Sequence, residues 1–266
     1  MKQKNGMGVY LDDSGDDKKN KYVVCGGILG DEFGLTFTDA YWSGLTGHLK
    51  NPFRSTECEC QQGQFKDWKK VDCDKLMQDL VGVLNCDGMF AGLIGTAVPV
   101  QIFRKIFPNA HPDDPFRLAV RHVMVGVVRM AIRNDTCAKL CFEKGPNDAD
   151  VRRAYDDACQ FVFPSAGINR LAGLSFSDKS APLLQAADLA ARECFKAAVN
   201  RGVRPTRKPL KRLWGQSGML EFDESCLLRL KNAGGPTDIR AIVEMGSKCH
   251  MNMVSSTPYS QTIEPV

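Results

Sequence analysis

A helix that must bury one face while carrying a carboxylate on it is the tightest constraint in this sequence. The segment Pro182-Leu183-Leu184-Gln185-Ala186-Ala187-Asp188-Leu189-Ala190-Ala191 is built from strong helix formers. Leu184, Asp188, Ala191 and Phe195 follow at spacings of four, three and four, which is one helical face. A bare carboxylate on a buried face is costly, so the fold has to neutralise it, pair it or bind it to a metal. Taken alone, the segment is explained equally well by a buried salt bridge and by a functional site.

The rest of the chain says what that helix packs on. Val9 to Asp12 alternates as a strand and ends at the polar turn Asp13 to Asn20; Tyr22 to Leu29 is a second, strongly apolar strand. The pair predicts an opening β-hairpin. Gly30 to Phe37 suggests a third strand, and Thr38 to Leu49 a short helix capped by Thr38. Residues 51–71 hold turn formers and aromatics without a period, which predicts an ordered loop. Asp74 to Leu84 predicts a helix, Met89 to Val98 a central strand, and Pro115 to Arg133 a long helix begun by Asp113 and Asp114. Ala138 to Glu143 and Leu171 to Phe176 read as strands, and Asp148 to Phe161 as an amphipathic helix. Pro182 then opens the Asp188 helix. Strand and helix alternating after a hairpin predict an α/β domain with a mixed sheet flanked by helices.

With 266 residues the chain can be one large domain or two small ones. No stretch approaches eighteen consecutive apolar residues, so no transmembrane helix is expected. Met1 to Gly6 is basic but lacks the apolar run of a signal peptide, which predicts a cytoplasmic protein. The eleven cysteines then read as reduced thiols, with no disulfide-linked partner. Neither Cys58-x-Cys60 nor Cys137-x3-Cys141 has the second knuckle or nearby histidines of a zinc site.

A net charge of +4 says little by itself, but its distribution is uneven. Between Glu193 and Glu221 there is no acid, while Lys196, Arg201, Arg204, Arg207, Lys208, Lys211 and Arg212 fall in that window. Such a run is either a solvated face or a phosphate-binding patch. Trp214 beside it suits base stacking and core anchoring alike.

Acids also stand where elements end: Asp12 and Asp13 after the first strand, Glu143 after another, and Asp178 after a third, with Asp188 beyond it. Open α/β sheets assemble their sites at strand ends. Converging carboxylates repel unless cations sit between them, and hard oxygen donors suit magnesium or manganese. Two such ions about 4 Å apart can activate a water and stabilise a leaving oxygen. Each acid also has a plain structural explanation: turn residue, helix-start acid or cap.

These residues resemble a known family. Tyr10-Leu11-Asp12-Asp13-Ser14-Gly15 followed by Tyr22-Val23-Val24-Cys25-Gly26-Gly27 is similar to the "F-I-D-E-S-G … F-V-L-G-G" opening of a bacterial and phage domain-of-unknown-function family, regarded as ribonuclease-H-like in fold. Phe53-Arg54-Ser55-Thr56-Glu57 with Phe65-Lys66-Asp67-Trp68 is similar to its "F-H-x-T-D/E … F-x-G-W" segment, and Phe142-Glu143-Lys144-Gly145 to its "F-E-R-G" strand end. Ser175-Phe176-Ser177-Asp178-Lys179 and Leu184 to Ala191 resemble its closing "F-x-D-K … L-Q-x-A-D-L-x-A" motif, the most specific part. The likeness spans about residues 9 to 215, with Asp13 in place of the usual Glu and Arg54 in place of the usual His. It implies a ribonuclease-H-like domain over residues 1–200; the residues beyond suggest by themselves a basic helical appendage over 201–250 and a polar, flexible tail over 251–266.

The resemblance implies that Asp12, Glu143 and Asp188 are metal ligands, with Asp178 a further catalytic acid and Glu57 a ligand or base. Ser14, Lys179, Arg201, Arg204, Arg207, Lys208, Lys211 and Arg212 form the expected nucleic-acid-binding set. The leading expectation is phosphodiester hydrolysis with magnesium or manganese. The alternative is a module of the same fold that binds nucleic acid or protein without catalysis. A phosphatase using Asp12 as nucleophile is weaker, because Ser14 breaks the D-x-D-x-T spacing.

Overall fold

Residues 6–16, 20–84, 92–161, 170–200 and 218–248 are described by the computed structural model. The hairpin forms as its alternation dictates: β1 (Met7–Gly15) runs antiparallel to β2 (Tyr22–Asp31), with Leu11 opposite Gly27. Met7, Val9 and Leu11 are buried on one face of β1, while Tyr10 and Asp12 belong to the other. β2 is covered on both faces, which accounts for its nearly continuous apolar run.

A helical hairpin's worth of sequence departs from expectation at the next step. No third strand follows at Gly30 to Phe37; α1 (Glu32–Thr46) starts there instead. Asp31 caps it, its carboxylate accepting the Gly34 N–H at 2.7 Å. Thr38 is therefore inside the helix, and its hydroxyl donates back to the Gly34 carbonyl at 2.8 Å. Leu35, Thr38, Trp42 and Thr46 form the buried stripe, a helical spacing that outweighs the local strand-like alternation.

Residues 51–71 are also more ordered than a loop. They contain α2 (Ser55–Cys60) and a 3-10 turn (Gly63–Phe65). Phe53 and Phe65 are fully buried and meet edge to face with ring centroids 6.1 Å apart. Then come α3 (Lys70–Leu84), β3 (Gly92–Pro99), α4 (Val100–Ile106) and α5 (Asp114–Arg133). β4 (Ala138–Glu143), α6 (Asp148–Phe161), β5 (Leu171–Ser177) and α7 (Pro182–Asn200) form as the periodicity predicts. β6 (Gly218–Glu221), α8 (Glu224–Ala233) and α9 (Ile239–Lys248) complete the described chain.

The result is an α/β fold with one mixed six-stranded sheet, ordered β5-β4-β1-β2-β3-β6 and flanked by helices. Among the six strands only β2 runs against its neighbours. α5, α6, α8 and α9 share the core on one face, and α1, α3 and α7 lie on the other. In the region beyond residue 200, β6 joins the main sheet, and Leu227, Leu230, Ile239 and Ile242 enter the core beside α5. Arg201, Arg204, Arg207, Lys208, Lys211, Arg212 and Trp214 lie outside the described residues, as do residues 251–266.

α7 can approach the sheet closely because the strands beneath it carry glycine. A Cβ on Gly26 would stand 3.3 Å from the Ala191 Cα, and one on Gly95 would stand 2.8 Å from the Cys194 Sγ. Gly95→Val should therefore destabilise the fold by about 1–3 kcal/mol in urea unfolding, with partial recovery when Cys194→Ala makes room. No recovery in the double variant would mean that α7 is not seated on Gly95.

His122 on α5 is buried between strand and helix, its Nδ1 3.1 Å from the Thr96 Oγ1. Burial, with Arg129 nearby, pushes its pKa down to about 4 from the ordinary 6.5. Between those values the unfolded chain takes the proton and the folded chain does not. The stability His122 contributes is thus present above pH 6.5 and lost as pH falls towards 4, about 3 kcal/mol across the window. His122→Gln should flatten the pH dependence of the unfolding free energy between these limits; an unchanged slope would assign it to other groups.

Candidate functional site

Three acids meet at one lysine: Glu143 at the end of β4, Asp188 within α7, and Asp12, which lies inside β1 because that strand runs on through the expected turn to Gly15. β1 and β4 are parallel neighbours in register from Leu11↔Phe142 back to Met7↔Ala138, so Asp12 and Glu143 emerge side by side. Asp188 reaches the same place from α7, and Lys179 from the short connection between β5 and α7. The Lys179 ammonium donates to Asp12 Oδ2 and to Glu143 Oε2 at 2.8 Å, and lies 3.3 Å from Asp188 Oδ1. Asp12 and Lys179 are buried, at 5% and 6% side-chain exposure, whereas 25% of the Glu143 side chain remains exposed.

Two of the acids are held from behind. The Asp13 N–H donates to Asp12 Oδ1 at 2.8 Å. Asp188 Oδ2 accepts the Ser55 N–H at 2.9 Å and its hydroxyl at 2.7 Å, which leaves Oδ1 to face the lysine. Gln185, one turn before Asp188, accepts from the Trp42 indole and the Phe53 N–H, both at 3.2 Å, and donates to the Lys179 carbonyl at 3.1 Å. Ser55 and Gln185 were not among the expected site residues. Gln185 had a legible signal, since it is a second polar residue on the buried side of an apolar helix.

One ammonium against three carboxyls leaves the cluster short of positive charge. Burial, reinforced by Asp188 and Glu143, pushes the Asp12 carboxyl up to about 7 in spite of the attraction of Lys179. Burial alone would lower Lys179, but Asp188 and Asp12 outweigh it and hold the ammonium above its ordinary range. Arg54 stands at the rim, half-exposed, one nitrogen 3.7 Å from Glu143 Oε1.

The other expected residues fall elsewhere. Asp178 is exposed, and its carboxylate accepts from the Ser180 hydroxyl and from the Ser180 N–H at 2.9 Å, bonds that hold it below the ordinary carboxylate range. It does not join the three acids. Glu57 on α2 lies with its carboxyl against Gly63 and makes no ion pair with the cluster. Ser14 is half-buried on β1, opposite Val24. Lys179, expected among the groups that grip nucleic acid, is instead the centre of the cluster. Beside it lies a cleft of about 200 Å³, bordered by Asp12, Asp13, Glu143, Lys144 and Phe142.

Among the described residues no group of three or more His, Cys, Asp or Glu is placed so as to hold a metal ion, the Lys179 ammonium lying among the three carboxyls. The donor chemistry nevertheless fits a hard divalent cation: carboxyl oxygens from three separate elements, short of positive charge, beside a cleft. Among the described residues every cysteine is a free thiol, and no helix is long and apolar enough to cross a membrane. No family model, no curated protein and no solved structure matches this chain.

Removing the ammonium leaves buried carboxyls facing one another. Lys179→Met should lower the unfolding free energy by about 3–5 kcal/mol in denaturant titration at neutral pH. Adding Asp12→Asn to that variant should restore part of the loss. Wild-type stability in Lys179→Met would show that the lysine does not hold the acids together.

Proposed function

We propose that this chain is a cytoplasmic, metal-dependent nuclease with a ribonuclease-H-like fold, hydrolysing phosphodiester bonds of DNA or RNA. The observation that carries the reading is the convergence of Asp12, Glu143 and Asp188 on one point, from two adjacent parallel strands and a helix. An antiparallel hairpin followed by parallel strands on one side supports the fold reading.

Asp12, Glu143 and Asp188 would hold magnesium or manganese. When bound, the ion supplies water activation and charge stabilisation at the leaving oxygen. Lys179 holds the three carboxyls close to one point. Ser55 fixes the Asp188 rotamer, and the cleft beside Asp12 and Glu143 would admit the phosphate.

A second reading has its own support: a binding module in which Lys179 serves as the resident cation, since it already contacts all three acids. Cleavage of single-stranded, double-stranded and hybrid substrates in magnesium or manganese separates the two. The nuclease reading expects turnover that falls about 100-fold or more in both Asp12→Asn and Asp188→Asn. Activity that survives both substitutions overturns it. Absence of turnover, together with no heat of binding at millimolar magnesium, favours the module.

A further inference from the structure

The strand-like segment that carries Arg54 is pinned on both sides of it. Phe53 is fully buried and its N–H donates to Gln185 at 3.2 Å. Ser55 is fully buried and gives its N–H and hydroxyl to Asp188. The backbone between them is extended, with φ −129° and ψ 120° at Arg54. Successive side chains of an extended segment alternate in direction, so with Phe53 and Ser55 turned inward Arg54 is turned out, at the rim of the acid cluster.

The two cations that stand within 4 Å of these acids are differently employed. Lys179 has three N–H donors, is 6% exposed and faces three carboxyls, so it has no donor left for an external anion. Arg54 is 50% exposed, and its 3.7 Å approach to Glu143 is beyond hydrogen-bonding distance. Its planar fork of donors is matched to phosphate and is not consumed by that pair. We propose that Arg54 receives the non-bridging phosphate oxygens of a nucleic-acid substrate beside Asp12, Glu143 and Asp188. The proposal rests on the nuclease reading for its substrate and adds the group that grips it. Lys179 is thereby reserved for positioning the acids.

The test is equilibrium binding of fluorescently labelled single-stranded, double-stranded and hybrid oligonucleotides, followed by anisotropy in EDTA so that no cleavage occurs. Wild type, Arg54→Gln and Arg54→Lys are compared across a salt titration, with thermal unfolding confirming that each variant is folded. Arg54→Gln should weaken binding by about tenfold and reduce the slope of log K against log salt by about one. Arg54→Lys should keep the slope and lose part of the affinity, because an ammonium lacks the bidentate fork. Unchanged affinity and slope in Arg54→Gln, or no binding by wild type, overturns the clamp. Cleavage assays alongside keep the two ideas apart. Turnover that needs Asp12 but ignores Arg54 leaves the nuclease standing and removes the clamp. Weaker binding in Arg54→Gln without turnover in any protein does the reverse.

Discussion

The Lys179 ammonium among three carboxyls is the interaction on which the arrangement of this protein turns. It joins β1, β4, α7 and the β5–α7 connection at a single nitrogen. Ion pairs of this kind are weak sources of net stability, since taking both charges from water costs about as much as their attraction returns. What they provide is geometry. A misplaced strand or a rotated α7 would leave a charge without a partner in a buried site, a far larger penalty than a lost contact. The cluster therefore selects one register of β1 against β4 and one rotation of α7.

That rotation is reinforced by steric means. Gly26 and Gly95 leave the sheet surface flat where Ala191 and Cys194 descend on it, so the helix sits close to the strands. Close seating brings the next polar residues of α7 into use. Gln185 and Asp188 both point to the same short stretch of chain, one holding the Phe53 N–H and the other the Ser55 N–H and hydroxyl. One turn of α7 thus fixes the acid cluster, and also the backbone on either side of Arg54. Further along, Glu59 of α2 pairs with Lys196 and Arg192 of α7, extending the same contact between the two helices.

Much of this was legible in the sequence, and the exceptions have physical causes. β4 and α6 carry unbroken periodicity and their limits match what the pattern predicts, and α7 opens at Pro182 as expected. Glu143 could be picked out because it ends a strand and Asp188 because it interrupts an apolar face, whereas the polar run after Asp12 suggested a strand end that the structure moves on to Gly15. The start of α1 was obscured because Gly34 to Thr38 alternates locally, and only the longer Leu35, Thr38, Trp42, Thr46 spacing reveals a helix. α2 is too short to show a period, yet it supplies the Ser55 bonds to Asp188. Lys179 was visible as a residue but not as a centre. A lysine side chain spans several ångströms, and sequence does not say whether it reaches solvent or turns inward. Asp178, its neighbour, shows the other outcome: a strand-end acid satisfied locally by Ser180 and left exposed.

The lysine also bears on how a cluster of this type would take a divalent ion. Lys179 and a metal would compete for the same oxygens, but their demands differ. An ammonium offers three donors on a flexible stem, while a hard divalent ion requires six or more oxygens at fixed distances. Burial is the main cause that pushes the Asp12 carboxyl up to about 7, with Asp188 and Glu143 adding to it and Lys179 opposing it. Asp12 and Glu143 both touch the lysine and border the cleft, and of the two Glu143 is the more open, with a quarter of its side chain exposed. Under the nuclease reading these properties divide the labour. Lys179 keeps the acids from repelling one another in the empty site, and the residual charge is what draws in the ion.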